Sequence, residues 1–267
     1  MQTLTLSTQA ANPMLATITP VILTYNEADN ISRTLKRLTW ANRIVVVDSF
    51  STDETLDILE NYPQVALYQR PFDTHANQWN YGLSLVETPW VLSLDADYGL
   101  SDELTDELTT LDPESEVDCY RIPFQYCVFG KPLRGNILPS RAALFRQDKA
   151  TYIDDGHTQL LQCWGKTATL KNPILHDDRK SLNRWLWAQD RYALLEVQKQ
   201  LNTPPAALGW SDRIRRVPGL SAPIILAYCL ILKGGILDGW AGWYYAFQRV
   251  VAELILSLRL IEAKSHQ

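Results

Sequence analysis

The chain of 267 residues lacks several features that would assign it to other protein classes. It has four cysteines, and no two of them are spaced as C-x-x-C, so neither a disulfide framework nor a zinc ribbon is indicated. It has no long run of Lys and Arg and a formal net charge of −5, which argues against nucleic acid as a partner. Residues 1–20 lack the charged and apolar segments of a secretory signal. These absences predict a globular cytoplasmic protein with reduced cysteines.

Short apolar runs alternate with helical patterns over the first hundred residues. The runs at 18–23, 44–47, 65–68 and 90–94 predict strands, and the residues after the first three predict helices. Asn26 or Asp29 is expected to cap the first helix, residues 51–54 to begin the second, and residues 74–86 to form the third. The alternation predicts an α/β fold with a mostly parallel sheet, which binds ligands beyond the carboxyl ends of its strands.

The fourth predicted strand ends at Asp95-Ala96-Asp97. In extended backbone, residues i and i+2 point the same way, so both carboxylates can converge on one divalent cation that holds a diphosphate. An acidic turn without function is the alternative. Polar residues 24–27 and Asp48-Ser49 follow the first two strands, so three strand ends are predicted to meet in one crevice. Turn and cap roles stay open for Asn26.

Three segments, in this order and spacing, resemble family 2 glycosyltransferases: residues 22–27 (ILTYNE), 45–55 (VVVDSFSTDET) and 90–97 (WVLSLDAD). More narrowly, the chain resembles the bacterial branch that includes the lipopolysaccharide core glycosyltransferases. Gln78-Trp79-Asn80 and residues 120–123, 130–133 and 233–242 carry that likeness. The resemblance implies a GT-A fold and an inverting transfer from a nucleotide-activated sugar.

The resemblance also implies roles for individual residues. Asp48 would contact the base or ribose, and Asp95 and Asp97 would handle ribose, diphosphate and a divalent cation, Mg²⁺ or Mn²⁺. Many relatives have two acids where this chain has Asp48-Ser49, so the donor nucleotide stays open, with UDP favoured. Close relatives often follow the triplet with Glu, whereas Tyr98 follows here. The remaining nucleotide-sugar contacts would come from Thr24, Asn26, Glu27, Gln78 and Asn80.

A second polar cluster, residues 176–180, follows an apolar segment. His176 is predicted to serve the metal and the leaving group together with Asp97. Arg179 or Lys180 is predicted to bind donor phosphates, because cationic side chains pair strongly with phosphate. A structural histidine and a solvated helix entry are the alternatives.

Transfer to an acceptor hydroxyl needs a general base. Residues 154–157 (DDGH) occupy the place where relatives in this branch carry a His-Glu pair. We expect Asp155 to be the base and His157 to orient it or to contact the acceptor, with Asp154 as the alternative base. An ordinary Asp-Gly turn is the interpretation without function.

The composition changes after residue 180, which predicts a tail over 1–15, a GT-A catalytic domain over 16–180 and a helical C-terminal region over 181–267. Residues 183–201 and 240–260 predict amphipathic helices. The uncharged stretch 217–232 is interrupted by Pro and Gly. It is also shorter than a membrane-spanning helix, which needs about 20 apolar residues. Basic residues beside apolar faces suit an interfacial helix on the inner membrane surface. Packing against the catalytic domain or a partner subunit is the alternative, so an oligomer stays open.

The leading prediction is a metal-dependent, inverting glycosyltransferase of the hexosyltransferase type. It would move a sugar from a nucleotide-diphosphate donor to a cell-envelope glycan or a lipid-linked acceptor. A nucleotidyltransferase would usually present a glycine-rich basic loop after the first strand, and residues 24–27 are neither glycine-rich nor basic. A non-catalytic nucleotide-sugar-binding or scaffold protein is the other alternative, motivated by Tyr98 and by the altered His-Glu position.

Overall fold

The computed structural model describes residues 12–135, 139–155, 158–204 and 208–265, with only the backbone of Asp155 and Thr158. The strands are β1 (Ile18–Thr24), β2 (Ile44–Asp48), β3 (Val65–Gln69), β4 (Trp90–Asp95), β5 (Tyr98–Leu100), β6 (Val117–Ile122), β7 (Phe124–Val128), β8 (Lys131–Pro132), β9 (Arg141–Arg146), β10 (Ala150–Asp155), β11 (Thr158–Cys163), β12 (Lys166–Thr169) and β13 (Ile174–His176). The α-helices are α1 (Pro13–Ala16), α2 (Ile31–Lys36), α3 (Thr55–Leu59), α4 (His75–Ser84), α5 (Asp102–Thr109), α6 (Leu182–Asn202), α7 (Trp210–Arg215), α8 (Ser221–Ala227) and α9 (Trp240–Ser265).

Seven strands form the main sheet in the order β12-β6-β9-β4-β1-β2-β3. Strands β4, β1, β2 and β3 run parallel, and β9 is antiparallel to both of its neighbours. In the register, Leu23 lies beside Val47 on one side and Asp95 on the other. The mostly parallel α/β sheet predicted from the sequence is therefore confirmed, and its carboxyl ends bring residues 24–27, 48–49 and 95–97 to one edge.

Apolar side chains pack on both faces of this sheet. One cluster joins Ile22 and Trp90 to Leu35 of α2, Leu59 of α3 and Leu104 of α5. The opposite cluster is built around α4, whose Trp79 and Leu83 pack with Phe145 and Tyr152. The sheet is thus buried between two helical layers, which explains why β1, β2 and β4 consist of nearly continuous apolar runs.

The helix starts differ in part from the sequence prediction. Helix α4 lies within the predicted helix over 74–86, and Thr74 caps it, with its hydroxyl accepting from the Asn77 amide at 3.2 Å. For α2 the prediction was wrong, because Asn30 occupies the N-cap position and neither Asn26 nor Asp29 does. Asn26 instead adopts a left-handed backbone conformation, with φ at 56°, and bonds to the loop after β2.

A smaller sheet of four strands, in the order β5-β13-β7-β8, lies beyond the main one. Strand β13 pairs with β5 and β7, and His176 lies opposite Tyr98 and Tyr126. The short strand β5 follows the acidic triplet directly, so this pairing brings residue 176 next to residues 95–97.

The C-terminal region is helical, as predicted. Helices α6 and α9 correspond to the expected helices at 183–201 and 240–260, and they pack through Ala193, Val197, Leu256 and Leu260. A π-helical turn (Tyr228–Leu232) and a 3₁₀ turn (Gly235–Asp238) connect α8 to α9. Among the described helices, none is both long and apolar enough to cross a membrane.

The expected tail over 1–15 needs a boundary correction. Residues 1–11 lie outside the described residues, whereas Asn12 caps α1 and Met14 is only 1% exposed. The Asn12 side chain also donates to the Thr109 carbonyl at the end of α5. The packed structure therefore begins before residue 16.

Candidate active site

Asp95 and Asp97 lie at the carboxyl end of β4 and line one cleft. Ala96 between them is buried, and its carbonyl accepts from the Thr34 hydroxyl at 2.7 Å. Burial raises the pKa of Asp95, and the neighbouring Asp97 charge raises it further. Tyr98, which follows the acidic triplet, hydrogen-bonds the Asp95 carboxylate. The position thus supplies a hydroxyl partner to Asp95 in place of an additional acid.

His176 reaches this acidic pair from β13. Its Nε2 lies 3.0 Å from Oδ2 of Asp97, and its ring contacts the edges of Tyr98 and Tyr126. Burial opposes protonation of the imidazole, but the Asp97 carboxylate outweighs that effect and raises the pKa of His176. Burial also disfavours the charge on Asp97, yet His176 and Lys180 hold the pKa of this carboxyl below its usual value. The geometry therefore brings together two residues that the sequence predicted to share a site.

The donor set at this position fits a cation that is held jointly with a ligand. Asp97 and His176 supply a carboxylate oxygen and an imidazole nitrogen. No group of three or more His, Cys, Asp or Glu side chains that could hold a metal occurs within the described ranges. Cations that serve phosphate chemistry commonly take one or two protein ligands and complete their shell with phosphate oxygens and water. Two protein ligands are consequently compatible with such a site.

Thr24 and Asp48 lie side by side at the ends of β1 and β2. Asp48 is fully buried and accepts from the Thr24 hydroxyl at 2.8 Å, from both the amide and the hydroxyl of Ser51, and from Gln69. With four donors, this carboxylate is satisfied inside the protein. Asp48 therefore shapes the loop at residues 49–51, and of the two residues only Thr24 lines the cleft.

Glu27 lines the cleft and forms an ion pair with Lys180, at 2.6 Å. Burial raises the pKa of Glu27 to about 7, against the lowering effect of Lys180. Asn30 is fully buried beneath this pair and donates to Glu27 and Asp178, both at 3.0 Å. Its side-chain oxygen accepts from the Arg179 amide. Asn30 thus ties residues 177–180 to the loop after β1.

The residues of the motif Gln78-Trp79-Asn80 contact two different parts of the protein, the cleft and β10. Gln78 is fully buried, lines the cleft and donates to the Ser49 hydroxyl at 3.0 Å. Asn80 faces β10, where it donates to the Tyr152 carbonyl at 2.8 Å and accepts from the Tyr152 amide at 2.9 Å. Trp79 stacks on the Tyr152 ring, with centroids 5.1 Å apart. Asn80 therefore does not line the cleft; it fixes the strand that carries Asp154 and Asp155.

The predicted base region is the end of the β10–β11 hairpin. Asp154 is exposed and pairs across the hairpin with Gln159, which lines the cleft. The side chains of directly opposed residues in an antiparallel pair lie on the same face, so Asp154 and Gln159 share one face of the hairpin. The Asp155 backbone continues β10 to the hairpin end, while its side chain and His157 lie outside the described residues.

The cleft has a volume of about 730 Å³ and extends from the strand ends to α6 and α9. Its basic side chains differ in their partners. Lys180 pairs with Glu27 and Arg215 with Glu253, whereas Arg249 has a buried Nε with no hydrogen-bond partner in the described part of the chain. Arg179 bonds to Asp177 and does not line the cleft. Of the predicted site residues, the cleft brings together Thr24, Glu27, Gln78, Asp95, Asp97, His176 and Lys180.

Comparison with known proteins decides the family. Residues 19–162, more than half of the chain, match the family model described as Glycosyl transferase family 2. The chain belongs to this family. An uncharacterized glycosyltransferase of Rickettsia felis is 34% identical over 104 residues, covering 39% of this chain and 36% of the relative. Glycosyltransferase SunS of Bacillus subtilis is 29% identical over 117 residues, covering 40% and 27%. The match thus spans about a third of the curated relatives' length.

Solved structures match over nearly the whole of this family 2 glycosyltransferase. A mannosyltransferase from Pyrobaculum calidifontis, in complex with GDP-Man and Mn²⁺, covers 94% of this chain and 89% of its own, with a TM-score of 0.52 and 16% identity. S. aureus TarS in complex with UDP-GlcNAc covers 94% and 92%, with a TM-score of 0.50 and 16% identity. The expected GT-A fold is confirmed.

Two further residues of the glycosyltransferase belong to this region: Asn30, buried behind the cleft wall, and Arg249, which lines the cleft. No local pattern marks Asn30, because its contacts to residues 178–179 span about 150 positions. Arg249 could be identified from the sequence as a cleft residue, because it is the one charged residue between Trp240 and Ala252. An isolated cation in an apolar helical face points into a cleft more readily than into a packed core.

Proposed function

We propose that the protein is a metal-dependent, inverting glycosyltransferase that uses a nucleotide-diphosphate sugar. The contact between Asp97 and His176, next to Asp95 at the strand ends, carries the proposal. The GDP-Man and Mn²⁺ bound to the Pyrobaculum mannosyltransferase and the UDP-GlcNAc bound to TarS support it by analogy of fold. We keep UDP as the favoured nucleotide and a hexose as the sugar.

Asp97 and His176 would hold the cation, with Asp95 beside them. An imidazole ligand favours Mn²⁺ over Mg²⁺, which prefers an all-oxygen shell. The bound cation would supply positive charge to the departing diphosphate. Thr24, Glu27 and Gln78 line the part of the cleft next to the strand ends, where the nucleotide would lie. Lys180 holds Glu27 in place, so this wall is ordered before the donor binds.

An acid of the β10–β11 hairpin would take the proton of the acceptor hydroxyl. The hydroxyl oxygen would then attack the anomeric carbon from the face opposite the diphosphate, which leaves with its bonding electron pair, and the configuration inverts. Asp155 is the base that the sequence favours, and Asp154 gains support from its pairing with Gln159 in the cleft wall. His157 would orient the base or contact the acceptor.

A donor screen tests the metal site. We expect one sugar among UDP-GlcNAc, UDP-glucose and GDP-mannose to raise the thermal midpoint only when Mn²⁺ is present. At a hundredfold excess over Kd, the binding should add about 3 kcal/mol to the unfolding free energy. Asp97→Ala should erase this stabilisation. The matched control is Asp106→Ala, which removes an exposed acid on α5 that does not line the cleft. Equal stabilisation without metal, or in Asp97→Ala, would contradict the proposal.

Separate Asn substitutions identify the base. Metal-dependent hydrolysis of the donor, in which water replaces the acceptor, is followed as release of the nucleoside diphosphate. The variant that removes the base, Asp155→Asn or Asp154→Asn, should lose at least about a hundredfold in rate while its Mn²⁺-dependent donor stabilisation persists. If both variants keep near wild-type rates, the base does not lie in this hairpin. Donor hydrolysis by the wild type would also argue against a non-catalytic binding or scaffold role.

For the acceptor, we propose a cell-envelope glycan or a lipid-linked glycan, reached from the inner surface of the cytoplasmic membrane. The C-terminal helices form one wall of the cleft through Trp185, Tyr192, Tyr245 and Arg249. Aromatic faces suit stacking on sugar rings, and the Arg249 guanidinium suits an anionic group of the bound substrate. This wall is therefore the acceptor side of the proposed site.

A further inference from the structure

Six large apolar side chains are exposed around the connection between α8 and α9. Ile231 and Leu232 are 73% and 76% exposed, and Leu237 is 66% exposed. The Phe129 ring, from the turn between β7 and β8, lies 6.4 Å from the Trp240 ring and extends the same surface. We call this surface the apolar tip; it consists of Phe129, Ile231, Leu232, Ile236, Leu237 and Trp240.

The apolar tip is built on tightly packed backbone. A Cβ added at Gly242 would lie 1.8 Å from the Gly235 carbonyl oxygen, and one added at Gly135 would lie 2.2 Å from the Lys233 carbonyl oxygen. Only glycine permits these two approaches. They hold the turn over 233–238 against α9 and against the chain after β8. The exposed side chains are thus presented by an ordered support.

The charges around the apolar tip are mostly positive, although the chain as a whole has a net charge of −5. Asp177, which accepts from the Gly130 amide beside Phe129, is paired with Arg179. Lys131 and Arg134 are exposed, and Lys233 is half-buried. Asp238 is the only acid in the sequence between Tyr228 and Gln248, and it is buried against Arg134 and beneath Lys131. Exposed apolar side chains with a basic rim are complementary to an anionic bilayer surface.

The apolar tip lies close to the proposed acceptor side of the cleft. Trp240 begins α9, Tyr245 and Arg249 of the same helix line the cleft, and the helix rises about 1.5 Å per residue, so Arg249 is about 14 Å along the axis from Trp240. Tyr244, between them, contacts Phe129 at 5.4 Å between ring centroids. A short stretch of one helix therefore separates the two features.

We propose that the apolar tip inserts into the interface of an anionic membrane and that Lys131, Arg134 and Lys233 contact its phosphate headgroups. The inference rests on the proposed function in one respect, the membrane origin of the acceptor. It deepens that function by naming the surface, the lipid chemistry and the side of the cleft that faces the bilayer. The tip enters the interface only, consistent with the lack of a spanning helix in the described residues.

Vesicle sedimentation tests the proposal with the full chain. The wild type should co-sediment with vesicles of phosphatidylcholine and phosphatidylglycerol, less with phosphatidylcholine alone, and less again in high salt. Replacing the adjacent pair by Ile231→Gln and Leu232→Gln should lower the partition coefficient by about tenfold or more, because two exposed aliphatic side chains lose their burial in the interface. Lys233→Gln should reduce the preference for phosphatidylglycerol.

A matched pair controls for general surface polarity. Leu194 and Leu195 on α6 are 43% and 44% exposed, so Leu194→Gln with Leu195→Gln removes a similar adjacent pair and should leave binding unchanged. Wild type that stays in the supernatant, or equal losses in both pairs, would overturn the proposal. So would a self-associating species in sedimentation velocity that Ile231→Gln and Leu232→Gln dissociate without any vesicle binding. Mn²⁺-dependent donor stabilisation should persist in all these variants, which separates failure of this inference from failure of the proposed function.

Discussion

Asp97 and His176 are 79 positions apart in the chain, and their side chains meet at 3.0 Å. The polar character of both segments was visible in the sequence, and so was the strand that ends at the acidic triplet. The pairing that joins them depends on β13 lying between β5 and β7, a placement that no local pattern encodes. At the scale of residues, the sequence therefore predicted that these two side chains share a site, but not the strand pairing that brings them together.

Glu27 gives a prediction about pH. Its carboxyl has a pKa raised from 4.5 to about 7 in the folded protein, mainly by burial. A raised pKa means that the folded state binds the proton more tightly than the unfolded state, so stability is highest below pH 4.5 and falls as the pH rises through 7. Between pH 5 and pH 8 we expect this group to cost about 2 kcal/mol of unfolding free energy.

Glu27→Gln isolates this contribution, because glutamine keeps the shape but does not titrate. Urea denaturation of both proteins at several pH values measures the difference in unfolding free energy. The wild type should lose stability relative to Glu27→Gln as the pH rises from 5 to 8. Parallel curves would show that Glu27 titrates near its unfolded value.

At the scale of elements, the alternating strands and helices were predictable from the sequence, and the contacts between distant segments were not. The four strand runs and the cap of α4 follow from apolar periodicity and from Thr74, which are local signals. The N-cap of α2 was misplaced because Asn26, a good cap by type, bonds instead to Ser51 and Thr52 in the loop after β2. The resemblance implied that Asn80 contacts the nucleotide sugar, whereas in the structure its side chain contacts Tyr152, 72 positions away.

Gly242 in the first turns of α9 gives a prediction at this scale. Gly242→Ala would place a methyl group against the Gly235 carbonyl oxygen, so α9 or the turn before it must shift. We expect a loss of about 2 kcal/mol of unfolding free energy, measured by denaturation. In the control, Gly99→Ala, the new Cβ would be 3.8 Å from its nearest neighbour, Arg37. That variant should unfold like the wild type; a similar loss in both would mean that the close approach at Gly242 is unimportant.

At the scale of the molecule, the C-terminal helices and the sheet share one cleft. Arg184 of α6 donates to the Tyr25 carbonyl in the loop after β1, and Tyr245 of α9 packs on Tyr126 of β7. The sequence division at residue 180 marks a change in composition, and it stays a prediction about domains. The cleft itself needs residues from both sides of that position.

The ion pair between Arg215 and Glu253 joins α7 to α9, and removing it measures how much this contact stabilises the protein. Glu253 is 5% exposed and accepts three contacts from the guanidinium, the shortest at 2.7 Å. Glu253→Gln leaves a half-buried cation without its main partner, and we expect a loss of about 2 kcal/mol in unfolding free energy. Glu262→Gln, which breaks an exposed pair with Arg259, should leave the denaturation midpoint unchanged. Equal effects of the two substitutions would show that burial of the Arg215–Glu253 pair does not increase its contribution to the unfolding free energy.

The four-stranded sheet has a consequence for the acceptor. Strand β13 of that sheet carries His176, and the turn between β7 and β8 carries Phe129 of the apolar tip. The proposed metal ligand and the proposed membrane contact are thus parts of one hydrogen-bonded unit. If the tip sets the depth of the protein in the interface, the same sheet fixes the height of the reacting centre above the lipid headgroups. Acceptors would then be selected by the length of the glycan that separates the reacting hydroxyl from its lipid anchor.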